Sequence, residues 1–124
     1  MSPSAVPAEH ASDALWVVCL CADWCGVCRE YRPLFAQVAH THPQLRFAWV
    51  DIEDHADLAD DFDVQTFPTI LVAGAAGTRF LGPLLPHPET LGQVLGALPA
   101  AQPSSTETLV LLAAVARDPE PFRP

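Results

Sequence analysis

The sequence contains no lysine. Its six basic residues are all arginine, and fifteen acidic residues give a formal net charge of -9 at pH 7. A chain this acidic repels the phosphate backbone of nucleic acids and the surface of anionic membranes. Long apolar runs are also lacking, since none approaches the ~18 residues that a membrane-spanning helix needs. Neither a nucleic acid nor a membrane is therefore an expected partner.

Cysteine is absent outside one stretch, CLCADWCGVC, which holds Cys19, Cys21, Cys25 and Cys28. A small secreted scaffold would instead spread its cysteines along the chain to staple loops. Half of the 124 residues are hydrophobic, enough for one domain to fold around a core without a staple or a structural metal. The clustering therefore indicates chemistry, either a redox dithiol or a metal site.

The cysteines also suggest a compartment. Reducing conditions in the cytoplasm favour redox or metal-binding cysteines over structural bridges. The segment before the first apolar run, MSPSAVPAEHASD, contains Glu9 and Asp13 and no basic residue, which is not typical of a signal peptide. A cytoplasmic protein is expected.

The apolar pattern predicts a single α/β domain with the element order β-α-β-α-β-β-α-α and a mixed sheet. Buried strands are expected at 15–21 and 46–52, and a hairpin at TILVAG and TRFLG. Helices are expected from Gly26 to about His40 with Pro33 inside, over EDHADLADDFDV, over HPETLGQVLGAL and over ETLVLLAAVAR. The chain would thus divide into a lead-in at 1–14, the domain at 15–99, and a linker with a helical tail at 100–124.

The tail helix is apolar on nearly every side. It is expected to pack on the domain, on a second copy in a dimer, or on a partner. Ser104 and Glu107 have the spacing of a capping box at its start.

Cys25 and Cys28 lie where the first predicted strand gives way to a helix. The free N–H groups and partial positive charge of a helix N-terminus stabilise a thiolate. The first cysteine, at the start of the helix, is expected to be the more exposed and so the nucleophile, and a two-residue gap lets the second cysteine reach it. A disulfide closing so small a ring is easily made and broken.

ADWCGVCREYRP resembles the active-site segment of thioredoxins, in which Ala, an acidic residue and Trp precede Cys-Gly-Pro-Cys. Arg29 and Pro33 match the basic residue and the proline that follow this motif in the family. DVQTFPTILVAG is similar to the family's Val-x-x-x-Pro-Thr segment, with Pro68 at the proline that is cis and faces the cysteines. The resemblance covers roughly residues 15–98.

This resemblance implies a thioredoxin-like fold, with a mixed four-stranded sheet flanked by helices. The family's N-terminal strand would be missing, and the C-terminal helix would be extra. It implies a thiol–disulfide oxidoreductase that reduces or exchanges disulfides in partner proteins and serves cell redox homeostasis. Cys25 and Cys28 would be catalytic, with no cofactor and no metal, and another protein, a reductase, would supply electrons. The residues expected to contact substrate are Trp24, Gly26, Val27, Phe67, Pro68 and Gly82.

Three positions depart from the family pattern. Val27 replaces the proline between the cysteines, Cys19 replaces a buried aspartate, and Trp49 stands in place of that aspartate's lysine partner. Cys19 and Cys21 are predicted to be small buried hydrophobic residues on one face of a strand. The competing hypothesis makes Cys19 a third redox thiol that exchanges with Cys28.

Two other function classes stay open. One is a non-catalytic interaction module that docks through the tail helix. The other is a metal-binding domain built on the four cysteines, which a strand interior disfavours because it supplies no turn to wrap a metal.

Overall fold

The computed structural model describes residues 14–124. The predicted lead-in and the expected lack of a further N-terminal strand concern residues 1–13, which lie outside the described part. The strands are β1 (Trp16–Cys21), β2 (Arg46–Asp51), β3 (Thr69–Gly74) and β4 (Gly77–Pro83). The helices are α1 (Gly26–Thr41), α2 (Ala56–Ala59), α3 (Pro88–Gly96) and α4 (Thr106–Arg117), with short 3₁₀ turns at Asp60–Phe62 and Glu120–Phe122. The predicted element order is confirmed.

Among the described residues the four strands form one mixed sheet in the order β2-β1-β3-β4. β1 pairs parallel with β2 and antiparallel with β3, and β3 pairs antiparallel with β4. The two central strands are buried on both faces, which explains their unbroken apolar runs, VVCLC and TILVAG.

Successive side chains of β1 enter different cores, as the period-two geometry of a strand requires. Val17, Cys19 and Cys21 belong to the core under α1 and α3, whereas Val18 and Leu20 belong to the core under α2 and α4. The buried stripe of α1 that covers the first core consists of Cys28, Tyr31, Phe35 and Val38. Cys21 and Cys28 therefore face each other across the same interface.

The tail helix packs on the domain. Leu111, Leu112 and Val115 of α4 are buried in the second core together with Phe122 from the turn that follows. The large apolar side chains that α4 leaves exposed are those of Leu109 and Val110.

The predicted capping box at the start of α4 is wrong by one residue. The helix begins at Thr106, so Ser105 is the N-cap and its hydroxyl accepts a hydrogen bond from the Thr108 amide at 3.1 Å. The third helical position is thus Thr108 and not Glu107. The Ser104 hydroxyl instead lies 2.7 Å from the Thr78 hydroxyl.

The linker before α4 is tied to the β3–β4 hairpin. Thr78 and Gln102 exchange two backbone hydrogen bonds, at 2.7 and 2.8 Å. Gly77 has φ +133°, and a Cβ there would clash with the Gln102 carbonyl oxygen, so only glycine fits this approach.

No helix within residues 14–124 is long and apolar enough to cross a membrane.

Candidate active site

Cys25 is the residue from which α1 starts. It occupies the N-cap position with extended backbone angles, and its carbonyl accepts the first helical hydrogen bond, from the Arg29 amide at 3.1 Å. Its own amide donates to the Ala22 carbonyl at 3.0 Å and closes the turn after β1. The thiol is free and partly exposed. The structure therefore presents Cys25 at the positive end of a helix dipole, where an anion is stabilised.

Cys28 lies in the first turn of α1, is fully buried, and forms a disulfide with Cys21. The two Cα atoms are 5.8 Å apart, within the range that a disulfide spans. The Ala22 amide also donates to the Cys28 sulfur at 3.2 Å. This pairing corrects the prediction that Cys21 is only a small buried hydrophobic residue. The physical reason is that the end of β1 and the apolar stripe of α1 share one core.

The pairing also bears on the alternative metal site. All four cysteines lie in the described part of the chain, and two of their sulfurs are joined in the disulfide. A four-thiolate cage is not available in this state, because a metal needs each ligand as a free thiolate.

Trp24 and Phe67 connect the cysteine turn to the loop before β3. Their rings meet edge to face, with centroids 5.7 Å apart, although 59% of Trp24 is exposed. The Phe67–Pro68 peptide bond is cis, and Pro68 itself is buried. The Pro68 carbonyl accepts a hydrogen bond from the Leu84 amide at 3.1 Å, which holds this loop against the end of β4.

The other predicted substrate contacts lie at two separate places. Gly26 and Val27 are exposed on the first turn of α1, directly after Cys25. Gly82 lies on β4, opposite Ile70 of β3. It lines a shallow groove of about 270 Å³ with Thr66, Leu81 and other residues of that edge. The groove borders the segment before Pro68 but includes neither the cysteines nor Trp24. A Cβ on Gly82 would meet only ordinary contacts, so the chain's own packing does not require glycine there.

Asp51, the last residue of β2, holds the turn after β1 and the turn after β2 together by hydrogen bonds. Its carboxylate accepts hydrogen bonds from the amides of Asp23, Glu53 and Asp54, at 2.7, 2.9 and 3.0 Å. Burial would raise the pKa of this carboxyl, but those amide hydrogen bonds and the nearby His55 outweigh burial and lower it. The carboxylates of Asp23, Asp51 and Asp54 lie close together. Because the Asp51 oxygens are already hydrogen-bonded, this cluster has a structural explanation.

Cys19 lies in the core beneath the site, paired in register with Trp49 on β2. Burial raises the pKa of its thiol well above the usual value, although the Arg32 guanidinium acts in the opposite direction. The thiol is therefore neutral at pH 7. Among the described residues, Tyr31 Oη and Trp49 Nε1 are the buried side-chain nitrogen or oxygen atoms that lack a hydrogen-bond partner.

Sequence reasoning missed two contributors to this site, Cys21 and Asp51. A signal for Cys21 was present, because it shares the strand face of Val17 and Cys19, and Cys28 begins the helical stripe opposite. Asp51 lies near the end of a predicted strand and begins a stretch, 51–63, with seven acidic residues, and the simplest interpretation of such a stretch is a solvated surface.

The Thioredoxin family model matches residues 6–81, more than half of the chain. Thioredoxin H-type from Brassica oleracea is 34% identical over 90 residues, which span 64% of this chain and 73% of that protein. Thioredoxin H4-2 from Oryza sativa subsp. japonica is 40% identical over 48 residues, 39% of this chain and 36% of that protein.

Solved structures show the same fold. Fasciola hepatica thioredoxin superimposes with a TM-score of 0.63 at 24% identity, covering 75% of this chain and 88% of that one. Trypanosoma brucei brucei thioredoxin superimposes with a TM-score of 0.61, covering 77% and 83%. The fold, the cysteine cluster with its disulfide and these matches together show that the chain belongs to the thioredoxin family and is a thiol–disulfide oxidoreductase.

Proposed function

We propose that the chain reduces disulfides in partner proteins, with Cys25 as the attacking thiolate and Cys28 as the resolving one. One observation supports this assignment above the others: Cys25 is partly exposed, whereas Cys19, Cys21 and Cys28 are fully buried. A protein disulfide can reach only the exposed sulfur. Cys25 also lies at the N-terminus of α1, the end of a helix dipole that attracts anions.

The reaction has two steps. The Cys25 thiolate attacks one sulfur of the partner's disulfide, forms a mixed disulfide and releases the other sulfur as a thiolate. Cys28 then attacks Cys25, which releases the second partner thiol and leaves a Cys25–Cys28 disulfide. Cys28 enters this step from a state in which Cys21 is reduced. The Ala22 amide donates a hydrogen bond to the Cys28 sulfur and would stabilise the Cys28 thiolate before it attacks.

Substrate would lie across the exposed aromatic face between the two loops. The Trp24–Phe67 contact and the exposure of Gly26 and Val27 beside Cys25 support this surface. Pro68 and Gly82 would contribute from the loop before β3 and from β4. An extended substrate segment would pair with the backbone at Phe67. The small exposed surface at Gly26 leaves room for a partner chain near Cys25.

The scheme needs no metal and no organic cofactor from this chain. Electrons would return to the dithiol from a reductase protein, in a cytoplasmic compartment that keeps thiols reduced. The acidic, lysine-free composition supports protein partners over nucleic acid or membrane. Dimerisation through α4 stays a prediction, for which Leu109 and Val110 are the exposed apolar side chains.

Insulin reduction with dithiothreitol as electron donor tests the assignment. Cys25→Ser should abolish turnover, and Cys28→Ser should accumulate a stable mixed disulfide with the substrate. Cys19→Ala is the matched control, since Cys19 is a buried cysteine outside the proposed chemistry, and it should turn over normally. Near-normal turnover by Cys25→Ser would refute the function and favour a non-catalytic interaction module.

A further inference from the structure

We propose that Cys21 is a third redox-active cysteine, and that the disulfide made at Cys25–Cys28 during turnover moves inward to Cys21–Cys28. The proposal rests on the proposed function, because that function supplies the oxidising equivalents. It assigns a use to a cysteine that the two-cysteine scheme leaves idle. It also explains why the structure holds Cys28 bonded to the inner cysteine while Cys25 is free.

The three cysteines lead from the surface into the core, since Cys25 is partly exposed whereas Cys28 and Cys21 are fully buried. Cys28 is at the third position of α1, and Cys25 is at the N-cap, three residues earlier. Side chains at the N-cap and the third helical position lie on the same face and meet in ordinary capping interactions. On the opposite side, Cys21 ends β1 and is bonded to Cys28. Cys28 can thus pair outward with Cys25 or inward with Cys21.

The environment favours the inward pair. Cys21 and Cys28 are fully buried among apolar side chains, where a disulfide has no polar group to desolvate. If the disulfide stays at Cys25–Cys28, the free thiol is Cys21, and a thiolate is costly in that core. Moving the disulfide inward places the free thiol at Cys25 instead, next to solvent and the N-terminus of α1.

The step is an internal exchange and needs no oxidant. The Cys21 proton passes to solvent as the Cys21 sulfur attacks the Cys28 sulfur, so that the negative charge moves toward Cys25 during the attack and does not rest on Cys21. The Cys21–Cys28 bond forms as the Cys25–Cys28 bond breaks, and the electron pair leaves with Cys25. That thiolate takes up a proton from solvent, so atoms, charge and the number of disulfides are unchanged.

The consequence is an oxidised protein that still presents a nucleophile. Its Cys25 can form a mixed disulfide with a further disulfide-containing partner. Cys28 cannot resolve that mixed disulfide as long as Cys28 is bonded to Cys21. The oxidised form would therefore retain partners that the reduced form releases.

Disulfide mapping tests the exchange, and the sequence offers a suitable cleavage site. Trypsin leaves all four cysteines on one peptide, since no basic residue precedes Arg29. Cleavage before aspartate cuts at Asp13, Asp23 and Asp51, so Cys19 and Cys21 fall on 13–22 while Cys25 and Cys28 fall on 23–50. The fully reduced protein is oxidised by insulin, free thiols are alkylated in denaturant, and the digest is analysed by mass spectrometry. The expected product is peptide 13–22 linked to peptide 23–50, with Cys25 alkylated.

Variants make the result specific. Cys21→Ala should give only the disulfide inside 23–50, and Cys19→Ala should keep the linked peptides, which assigns the link to Cys21. Cys25→Ser should stay reduced with insulin, because only Cys25 admits the substrate. With a chromogenic aromatic disulfide under native conditions, oxidised wild type should release one equivalent of thiolate and oxidised Cys21→Ala essentially none.

The proposal is overturned if oxidised wild type carries its disulfide only inside 23–50, with Cys21 alkylated. It is also overturned if insulin links the two peptides in Cys25→Ser. The first result can occur while Cys25→Ser lacks insulin reductase activity, in which case the proposed function stands without the inward step. The second result would mean that insulin is reduced without Cys25, and it would overturn the proposed role of Cys25 as well. Retained activity in Cys25→Ser would instead remove the proposed function itself.

Discussion

The ring of Trp24 meets the ring of Phe67 edge to face, at a centroid distance of 5.7 Å and an interplanar angle of 77°. This contact joins the turn that carries Cys25 to the loop that carries the cis Phe67–Pro68 bond. It is made on the surface, because more than half of Trp24 is exposed. An exposed tryptophan held in place at a reactive thiol is well suited to contact a polypeptide substrate.

Trp24→Ala should therefore weaken substrate handling more than folding. A substrate aromatic side chain packed on the Trp24 ring would contribute about 0.5–1.5 kcal/mol beyond its buried area, so kcat/KM for insulin should fall roughly two- to tenfold. Val110→Ala, which removes an apolar side chain of similar exposure from α4, should leave kcat/KM unchanged. Equal kcat/KM for Trp24→Ala and wild type would exclude the tryptophan from substrate binding.

Acid sensitivity should depend on Asp51. Its pKa is lowered in the folded state by three backbone amides despite burial. The carboxylate therefore stabilises the fold above its unfolded pKa of about 3.9, and this stabilisation is lost as the pH falls through the lower folded value. Asp51→Asn should lower the free energy of unfolding by about 1–3 kcal/mol at pH 7 and by much less at pH 3.

Chemical denaturation at the two pH values measures this difference. Asp61→Asn is the control, because Asp61 is an exposed acid of the neighbouring 3₁₀ turn. A loss for Asp51→Asn that is equal at both pH values would show that the carboxylate charge is not responsible.

The fold was largely predictable because its signals are local. The runs VVCLC and TILVAG are apolar on both faces, which is typical of central strands, and the spacing of Tyr31, Phe35 and Val38 predicts a helix. The register of the α4 cap was missed by one residue, since Ser104 and Ser105 are adjacent and either can begin a helix. In the structure the Ser104 hydroxyl is engaged elsewhere, in a long-range hydrogen bond with Thr78 on β4 that the local sequence does not reveal.

The site was predictable only where a motif marks it. Cys25, Cys28, Trp24 and Pro68 lie in two recognisable segments, and the structure places Trp24 against the loop before Pro68. The Cys21–Cys28 bond depends on how the end of β1 packs against the first turn of α1. The spacing of cysteines does not state which sulfurs meet in three dimensions.

The tail helix should contribute to stability through one face. Leu111 is fully buried in the second core, whereas Leu109, two residues earlier, is 55% exposed. Leu111→Ala should lower the free energy of unfolding by about 2–5 kcal/mol, and Leu109→Ala by about 0.5 kcal/mol or less. Removing residues 104–124 should destabilise the domain further, because it also deletes Leu112, Val115 and Phe122 and so uncovers the second core on the sheet, which includes Val18, Leu20 and Leu71.

Thermal and urea unfolding measure these effects, with size-exclusion chromatography to follow association. A truncated chain with unchanged melting and unchanged hydrodynamic size would contradict the role given to α4. Equal losses for Leu109→Ala and Leu111→Ala would contradict the burial pattern of the helix.

Cys19 is a core thiol at a position where the family resemblance implies a buried acid, and substitutions there show how this difference affects stability and catalysis. The thiol is fully buried, and its raised pKa keeps it neutral at pH 7. Cys19→Ala should therefore cost only a small cavity, about 1 kcal/mol, and leave insulin reduction nearly intact.

Cys19→Asp introduces a carboxyl into the same core, where burial raises its pKa above the unfolded value of about 3.9. Stability is then lost as the pH rises above that value, so the variant should be close to Cys19→Ala at pH 4 and roughly 3 kcal/mol less stable than wild type at pH 7. The unpaired Tyr31 Oη and Trp49 Nε1 are buried donors that could reduce this loss by hydrogen bonding to the carboxylate.

A buried acid can also accept the proton of Cys28, so the Cys19→Asp variant should resolve mixed disulfides faster than wild type. Unfolding at both pH values and stopped-flow measurement of resolution check the two effects. Stability of Cys19→Asp that is independent of pH would show that the carboxyl is solvated, and slower resolution would show that it does not act as a base for Cys28.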